Sequence, residues 1–437
     1  MPPRMPRTGR QLTRRSNATV LPLELFFDLV FVLAVTQCTA LMAAEPTWGG
    51  LGRGLLALTA LWWAWTSYAW LTSVIDPEQD ATRITIFAAM SAMLVVSLCV
   101  PEAFGDLALT FALAYAAVRA IQILLFVLAS PDDADLRKSV AGLAVSSAIS
   151  VALLVGAAFV DAPYREVLWL IAILCDLLGP FLFGSSGWRL VPGHFAERHG
   201  LIVIIALGES IVASGVGAAH VKIDVITIAM AALGVFLSAA LWWLYFDVAA
   251  LATERRLSSM EPGQQQNTLA RDAYSYLHLV LVAGIVLLAL GLKTVMAHVT
   301  DPLHLVSAAA LAGGVALYLF GHVAFRYRFI GTINRERLGV GILLVVLVPA
   351  ATRVPAWAAL VLVAAITWAL VTYETTAWSE TRNYIRNEHG LPDDDGTVQR
   401  GPSELSPQPT GDGDGAGGGP GRDAAGDGGD GGDGAHS

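Results

Sequence analysis

The stretch Leu21–Gln37, LPLELFFDLVFVLAVTQ, is almost wholly apolar, yet it carries Glu24 and Asp28. Four residues apart on an α-helix, two side chains lie about 40° apart on one face. An Asp at the centre of a membrane span costs roughly 3 kcal/mol on insertion scales. Such a residue is expected to face a protein interior and to have a partner. One reading is a structural ion pair or a capping group near the helix start. The other is a site for an ion or a proton.

A second polar cluster lies in HFAERHGLIVIIALGESIVA, His194–Ala213. His194, Glu197, Arg198 and His199 open it and read as a surface-exposed polar cap at a cytoplasmic mouth. Glu209, followed by Ser210, sits deeper. Residues 198 and 209 fall about 20° apart on a helical wheel, so one face carries both. Gly208, Gly215 and Gly217 permit close helix approach or a local break. A helix broken at mid-membrane is how many transporters build ion sites. The competing reading is a packing glycine beside a paired Glu. The spacing H-x-x-E-x-H is neither HExxH nor HxxEH, and its two histidines point about 140° apart, so no metal is expected.

Further polar residues inside apolar runs are Gln37, Arg119, Gln122, Asp176, Asp247, His278 and His322. Arg119 is the basic residue placed well inside a span. It suits Asp28, Asp176 or Glu209 as a counter-ion, and the sequence leaves all three open. A lone histidine such as His278 reads as a packing residue. Trp62, Trp63, Trp65, Tyr68 and Trp70 crowd one segment, and Trp242 and Trp243 sit similarly in another. They read as core packing, or as the lining of a cavity for a cation or an apolar ligand.

These residues need a scaffold, and the composition says which. The chain of 437 residues is 55% hydrophobic and only 14% charged, where a soluble domain is about a quarter charged. Its mean hydropathy is +0.59. That places it in the membrane class. Most of the net charge of −9 falls in Leu391–Ser437, where ten acids face two bases. Nothing suggests a nucleic-acid surface. Cys38, Cys99 and Cys175 lie far apart in apolar runs and support neither disulfides nor zinc. No nucleotide, acyl-transfer or dinucleotide fingerprint stands in a convincing context, so neither a cofactor nor an enzyme is expected.

A spanning helix needs roughly 20 apolar residues. Twelve candidates run over 21–43, 53–75, 82–100, 106–129, 139–160, 166–187, 197–218, 223–251, 272–296, 302–325, 337–352 and 356–378. The fold expected is an all-α polytopic membrane protein. The first span reads as retained rather than as a signal peptide. Arg4, Arg7, Arg10, Arg14 and Arg15 fill a basic arm, 1–20, and most other Lys and Arg fall in the even-numbered connections. That asymmetry puts both termini in the cytoplasm. The Trp-Trp pairs, Arg83 with Arg271, and Tyr115/Arg119 with Tyr318/His322 suggest two parallel six-helix repeats, 21–187 and 197–378. A juxtamembrane segment, 379–390, leads to a Gly/Asp-rich tail, 391–437, whose composition reads as disordered.

ELFFDLVFVLAVTQ, Glu24–Gln37, closely resembles the N-terminal signature of the bacterial low temperature requirement A family. HFAERHGLIVIIALGESIVA resembles that family's second signature, and LWWLYFD, Leu241–Asp247, and YLHLVLVAGIVLLALGLK, Tyr276–Lys293, resemble further segments. The resemblance spans Leu21 to Trp378. It implies a multi-pass protein of the bacterial inner membrane, linked to growth in the cold. It marks Glu24, Asp28, Gln37, Glu197 and Glu209 as signature positions and implies no substrate or cofactor.

The leading expectation is a transporter or ion-translocating protein in the lipid bilayer, moving a small ion or molecule, with Asp28 and Glu209 at its intramembrane site and Arg119 compensating their charge. The rivals are a channel-like pore, a membrane enzyme acting on a lipid or isoprenoid head group at the cytoplasmic cluster, and a sensor or scaffold.

Overall fold

Each of the twelve expected segments coincides with helix in the computed structural model, which describes residues 19–130, 133–183, 187–188, 190–219 and 221–379. The arm up to 18, residues 380–390 and the acidic tail lie outside them. The helices are α1 (Pro22–Ala44), α2 (Trp48–Val74), α3 (Asp80–Cys99), α4 (Ala108–Ala129), α5 (Ala134–Ala157) and α6 (Tyr164–Leu182), then α7 (Pro192–Ala218), α8 (Val225–Phe246) and a short α9 (Ala249–Ser258). A helix follows that runs through α10 (Gln264–Ala270), a π-helical stretch (Arg271–Leu277) and α11 (His278–Ala297). The next runs through α12 (Leu305–Ala308), a second π-helical stretch (Ala309–Gly313) and α13 (Gly314–Ile330). The last two are α14 (Arg335–Ala351) and α15 (Ala356–Ala377).

The local chemistry explains the ends. Pro192 opens α7 five residues before the expected start, at a position where its missing N–H costs nothing. Asp133, Asp224 and Asn334 accept backbone N–H groups at the starts of α5, α8 and α14. Gly331, at φ 77°, ends α13 in the left-handed conformation that favours glycine.

Among the described residues, nine helices are long and apolar enough to cross a membrane. The expected twelve include three that fall short of that mark. α14 has 17 residues, α6 carries Arg165, Glu166 and Asp176, and α2 is rich in Trp, Ser, Thr and Tyr. The last case has a packing reason, because every residue of α2 from Ala60 to Val74 is buried. A helix enclosed by other helices has no lipid to satisfy. By contrast, α3, α4, α6 and α8 expose Ile84, Leu124, Leu170 and Val225, with many other apolar side chains.

α1 packs on α2, α3 and α7; α3 packs on α4, α4 on α5, α5 on α6, and α2 on α6. Beyond residue 190, α7 packs on α8 and α11, α11 on α13, α13 on α14, α14 on α15, and α8 on α15. Small residues bring α11 and α13 into backbone contact. A Cβ added at Gly284 would lie 2.7 Å from the Tyr318 nitrogen, and one at Gly314 would lie 2.6 Å from that of Leu288.

Candidate functional site

α1 and α7 meet along a polar seam. Glu24 and Asp28 do share a face of α1, and both point at Arg198 of α7. The Asp28 carboxylate pairs with Arg198 Nη2, and its Oδ1 also accepts the Trp65 indole N–H at 2.8 Å. Glu24 Oε1 lies 2.9 Å from His194 Nε2 and 3.6 Å from Arg198 Nη1. Glu24 Oε2 reaches back to accept the Leu21 N–H at 3.0 Å, which fixes the carboxylate at the start of its helix. Arg198 Nη1 donates to Thr72 Oγ1 of α2 at 3.0 Å, and the guanidinium stands 5.5 Å from the Trp65 ring.

The expected surface cap is therefore corrected. His194, Arg198 and His199 are buried, because α7 begins early and tucks its first turns under α1 and α2. Glu197 remains exposed and accepts the Val20 N–H at 3.0 Å. In the buried cluster, Asp28 Oδ2 and Arg198 Nε have no hydrogen-bond partner, and an unsatisfied buried polar atom calls for an explanation.

Eleven residues further along α7 and on the same face, Glu209 receives the Thr36 hydroxyl of α1. Thr39 and Lys293 act on the same carboxylate. The helix does not break here. α7 is a continuous α-helix through Gly208, and the close approach occurs at Gly217, where a Cβ would meet the Lys293 carbonyl at 2.3 Å. Ser210 turns aside to share a hydrogen bond with Ser238 at 2.7 Å. Gln37 is half-buried and takes no part in the seam.

Arg119 compensates neither Asp28 nor Glu209. Its partner is Asp176 of α6, at 2.9 Å. Asp176 also accepts from Ser147 at 3.1 Å and from Tyr115 at 3.1 Å. Arg119 donates to Ser67 at 2.6 Å, to Gln122 Oε1 at 2.8 Å and to Ser147. The hydroxyl partners escaped notice in the sequence, although Thr66-Ser67, Thr72-Ser73 and Ser146-Ser147 stand out as polar pairs in apolar helices.

The tryptophans divide. Trp62 and Trp70 donate to the carbonyl and hydroxyl of Ser275 in the π-helical stretch, at 2.7 and 2.9 Å. Trp63 lines a small cavity between α2, α4, α5 and α6, and Trp243 lines a larger one between α8, α13, α14 and α15. Trp242 is exposed on the outer surface. His278 is satisfied on both ring nitrogens, donating to the Ala273 carbonyl and accepting from Tyr245. Among the described residues, no three His, Cys, Asp or Glu side chains gather as they would around a metal.

The model of the family described as bacterial low temperature requirement A protein matches residues 19–372. An uncharacterized protein of Rhizobium meliloti (strain 1021) is 30% identical over 315 residues, covering 68% of this chain and 75% of that protein. No solved structure matches the chain.

Proposed function

The chain belongs to the bacterial low temperature requirement A family, and from that premise we propose that it is a proton-coupled transporter whose proton site is the cluster of Glu24, Asp28, His194 and Arg198. As a multi-pass helical membrane protein it must account for every buried charge. Among the described residues, Arg198 offers one positive charge to two carboxylates. A net buried charge is costly, and one proton, held by His194 or a carboxylate, makes the cluster neutral. The observation that carries this reading is Asp28 Oδ2, buried and without a hydrogen-bond partner beside the one guanidinium that Asp28 shares with Glu24.

The cluster joins the part of the chain before residue 190 to the part after it. In each part the first helix packs on the second and third, the fourth on the fifth, the fifth on the sixth, and the second on the sixth. That repeated neighbour pattern supports twelve spans in two parallel repeats, and the Lys and Arg of the even-numbered connections support both termini in the cytoplasm. Losing the proton leaves a charge at the joint and favours an arrangement in which α1 and α7 part and water enters. The family's description names a requirement at low temperature, so growth in the cold is the cellular readout for the same variants.

The test is proton flux into proteoliposomes under an imposed pH gradient, with sodium and potassium gradients as comparisons. Wild type is expected to move protons, and Asp28→Asn and Glu24→Gln to do so at least tenfold more slowly while eluting as folded protein. Flux that survives both substitutions sinks the assignment.

A further inference from the structure

Between α2, α4, α5 and α6 lies a cavity of about 50 Å³. Three of its lining side chains are buried, at 4% exposure for Trp63, 1% for Thr66 and 0% for Gln122. Trp63 Nε1, Thr66 Oγ1 and Gln122 Nε2 have no hydrogen-bond partner, nor does Nε1 of the fourth lining residue, Trp188. Native proteins leave few such atoms unpaired, and four around one space point to something that fills it.

Three of the four atoms are donors only, and the fourth can donate. An indole nitrogen donates and never accepts. Gln122 is fixed in orientation, because its Oε1 accepts from Arg119 at 2.8 Å and a guanidinium has nothing to accept with. Its NH₂ group is therefore the end left over. The Thr66 hydroxyl donates or accepts as required. Arg271, at the start of the π-helical stretch, lines the cavity as well, and the described lining residues include no carboxylate. Indole rings of Trp63, Trp70 and Trp188, with Leu143 and Pro180, supply the apolar part of the wall.

From this geometry we infer that the cavity is a binding site for a small anion, chloride or a planar oxyanion such as nitrate, bicarbonate or a short carboxylate. Neutral donors grouped beside a low-dielectric space hold an anion by charge-assisted hydrogen bonds. Size sets the upper limit. A water-sized atom needs roughly 10–15 Å³ of such volume, so the cavity takes roughly three to five. The Arg119–Asp176 pair acts as a positioning device, holding the glutamine amide by its oxygen and leaving its NH₂ group unpaired. The site stands apart from the proton cluster, so either assignment survives the failure of the other.

The full-length protein in detergent would be titrated with sodium chloride, nitrate, bicarbonate, acetate and phosphate at constant ionic strength. Gluconate, too large for the cavity, serves as the background, and calorimetry with thermal unfolding as the readouts. At least one of the first four salts is expected to bind saturably. Trp63→Phe and Gln122→Leu are expected to weaken that binding at least tenfold. Thr66→Val, nearly isosteric, covers the case in which the larger changes disturb folding, and is expected to weaken it several-fold. Trp368→Phe, whose indole donates to the Phe236 carbonyl far along the chain, is expected to bind like wild type. Saturable binding by none of the four overturns the assignment, as does affinity unchanged in all three cavity variants. Binding only of inorganic phosphate or of vesicles bearing anionic lipid would also overturn it, in favour of a lipid head-group site.

Discussion

At the α1–α7 seam, one arginine faces two carboxylates and a histidine; between α4 and α6, Arg119 faces Asp176 alone. Both clusters are buried, and both are wrapped in hydroxyl and aromatic donors. They differ in balance. Asp176 has both oxygens occupied, by Arg119, Ser147 and Tyr115, and its charge is cancelled within one part of the bundle. Among the described residues the seam sets two carboxylates on one guanidinium, leaves Asp28 Oδ2 and Arg198 Nε unpaired, and draws its partners from helices 170 residues apart in sequence. A balanced, fully bonded pair is a fastening. An unbalanced one is a place where a proton changes the energy of the joint.

The comparison is most exposed to the substitutions that leave a buried charge alone. Asp176→Asn strands Arg119, and Arg198→Met strands Asp28. Each is expected to cost about 3–5 kcal/mol, read as a large fall in unfolding temperature in detergent. Asp28→Asn should be milder, below about 2 kcal/mol, because Glu24 still balances Arg198 and an amide oxygen can accept the Trp65 N–H. If Asp28→Asn proves as damaging as Asp176→Asn, the two clusters are the same kind of object and the distinction fails.

The smallest effect comes from a carboxylate outside the spans. Asp224, at the start of α8, accepts the Thr227 N–H at 2.8 Å and its hydroxyl at 2.9 Å, and these bonds hold its carboxyl below the usual range. A depressed folded value means the contribution is complete above the unfolded value of about 4. It is then lost as pH falls through the lower, folded value. Asp224→Asn is expected to flatten a slight acid-side decline in unfolding temperature below about pH 4 and to leave proton flux unchanged.

Much of the scaffold was legible in the sequence. The apolar runs located every long helix, and wheel spacing put Glu24 with Asp28, and Arg198 with Glu209, on faces that the structure brings together at α1 and α7. What could not be read was partnership. Three acids suited Arg119 equally well, and only the packing of α4 against α5 and α6 selects Asp176. The polarity of His194-Phe195-Ala196-Glu197-Arg198-His199 resembled a wetted helix end. Its burial depends on Pro192 starting α7 early and on α2 offering Thr72 and Trp65 from more than a hundred residues away. The tryptophans of α2 read as core packing or a cavity lining, but that the helix is enclosed from Ala60 to Val74 emerged only from its packing.

That enclosed helix forms one wall of the seam and one wall of the cavity. Trp65 and Thr72 face Asp28 and Arg198, while Trp63 and Thr66 face the space beside Gln122. Trp62 and Trp70 tie the same helix to Ser275, so its rotation about its own axis is restrained from two sides. Thermodynamic linkage then constrains any ligand in the cavity: by whatever factor it changes the proton affinity of the seam, protonation of the seam must change its own affinity by the same factor. One rigid helix would make the two sites a single instrument with two inputs.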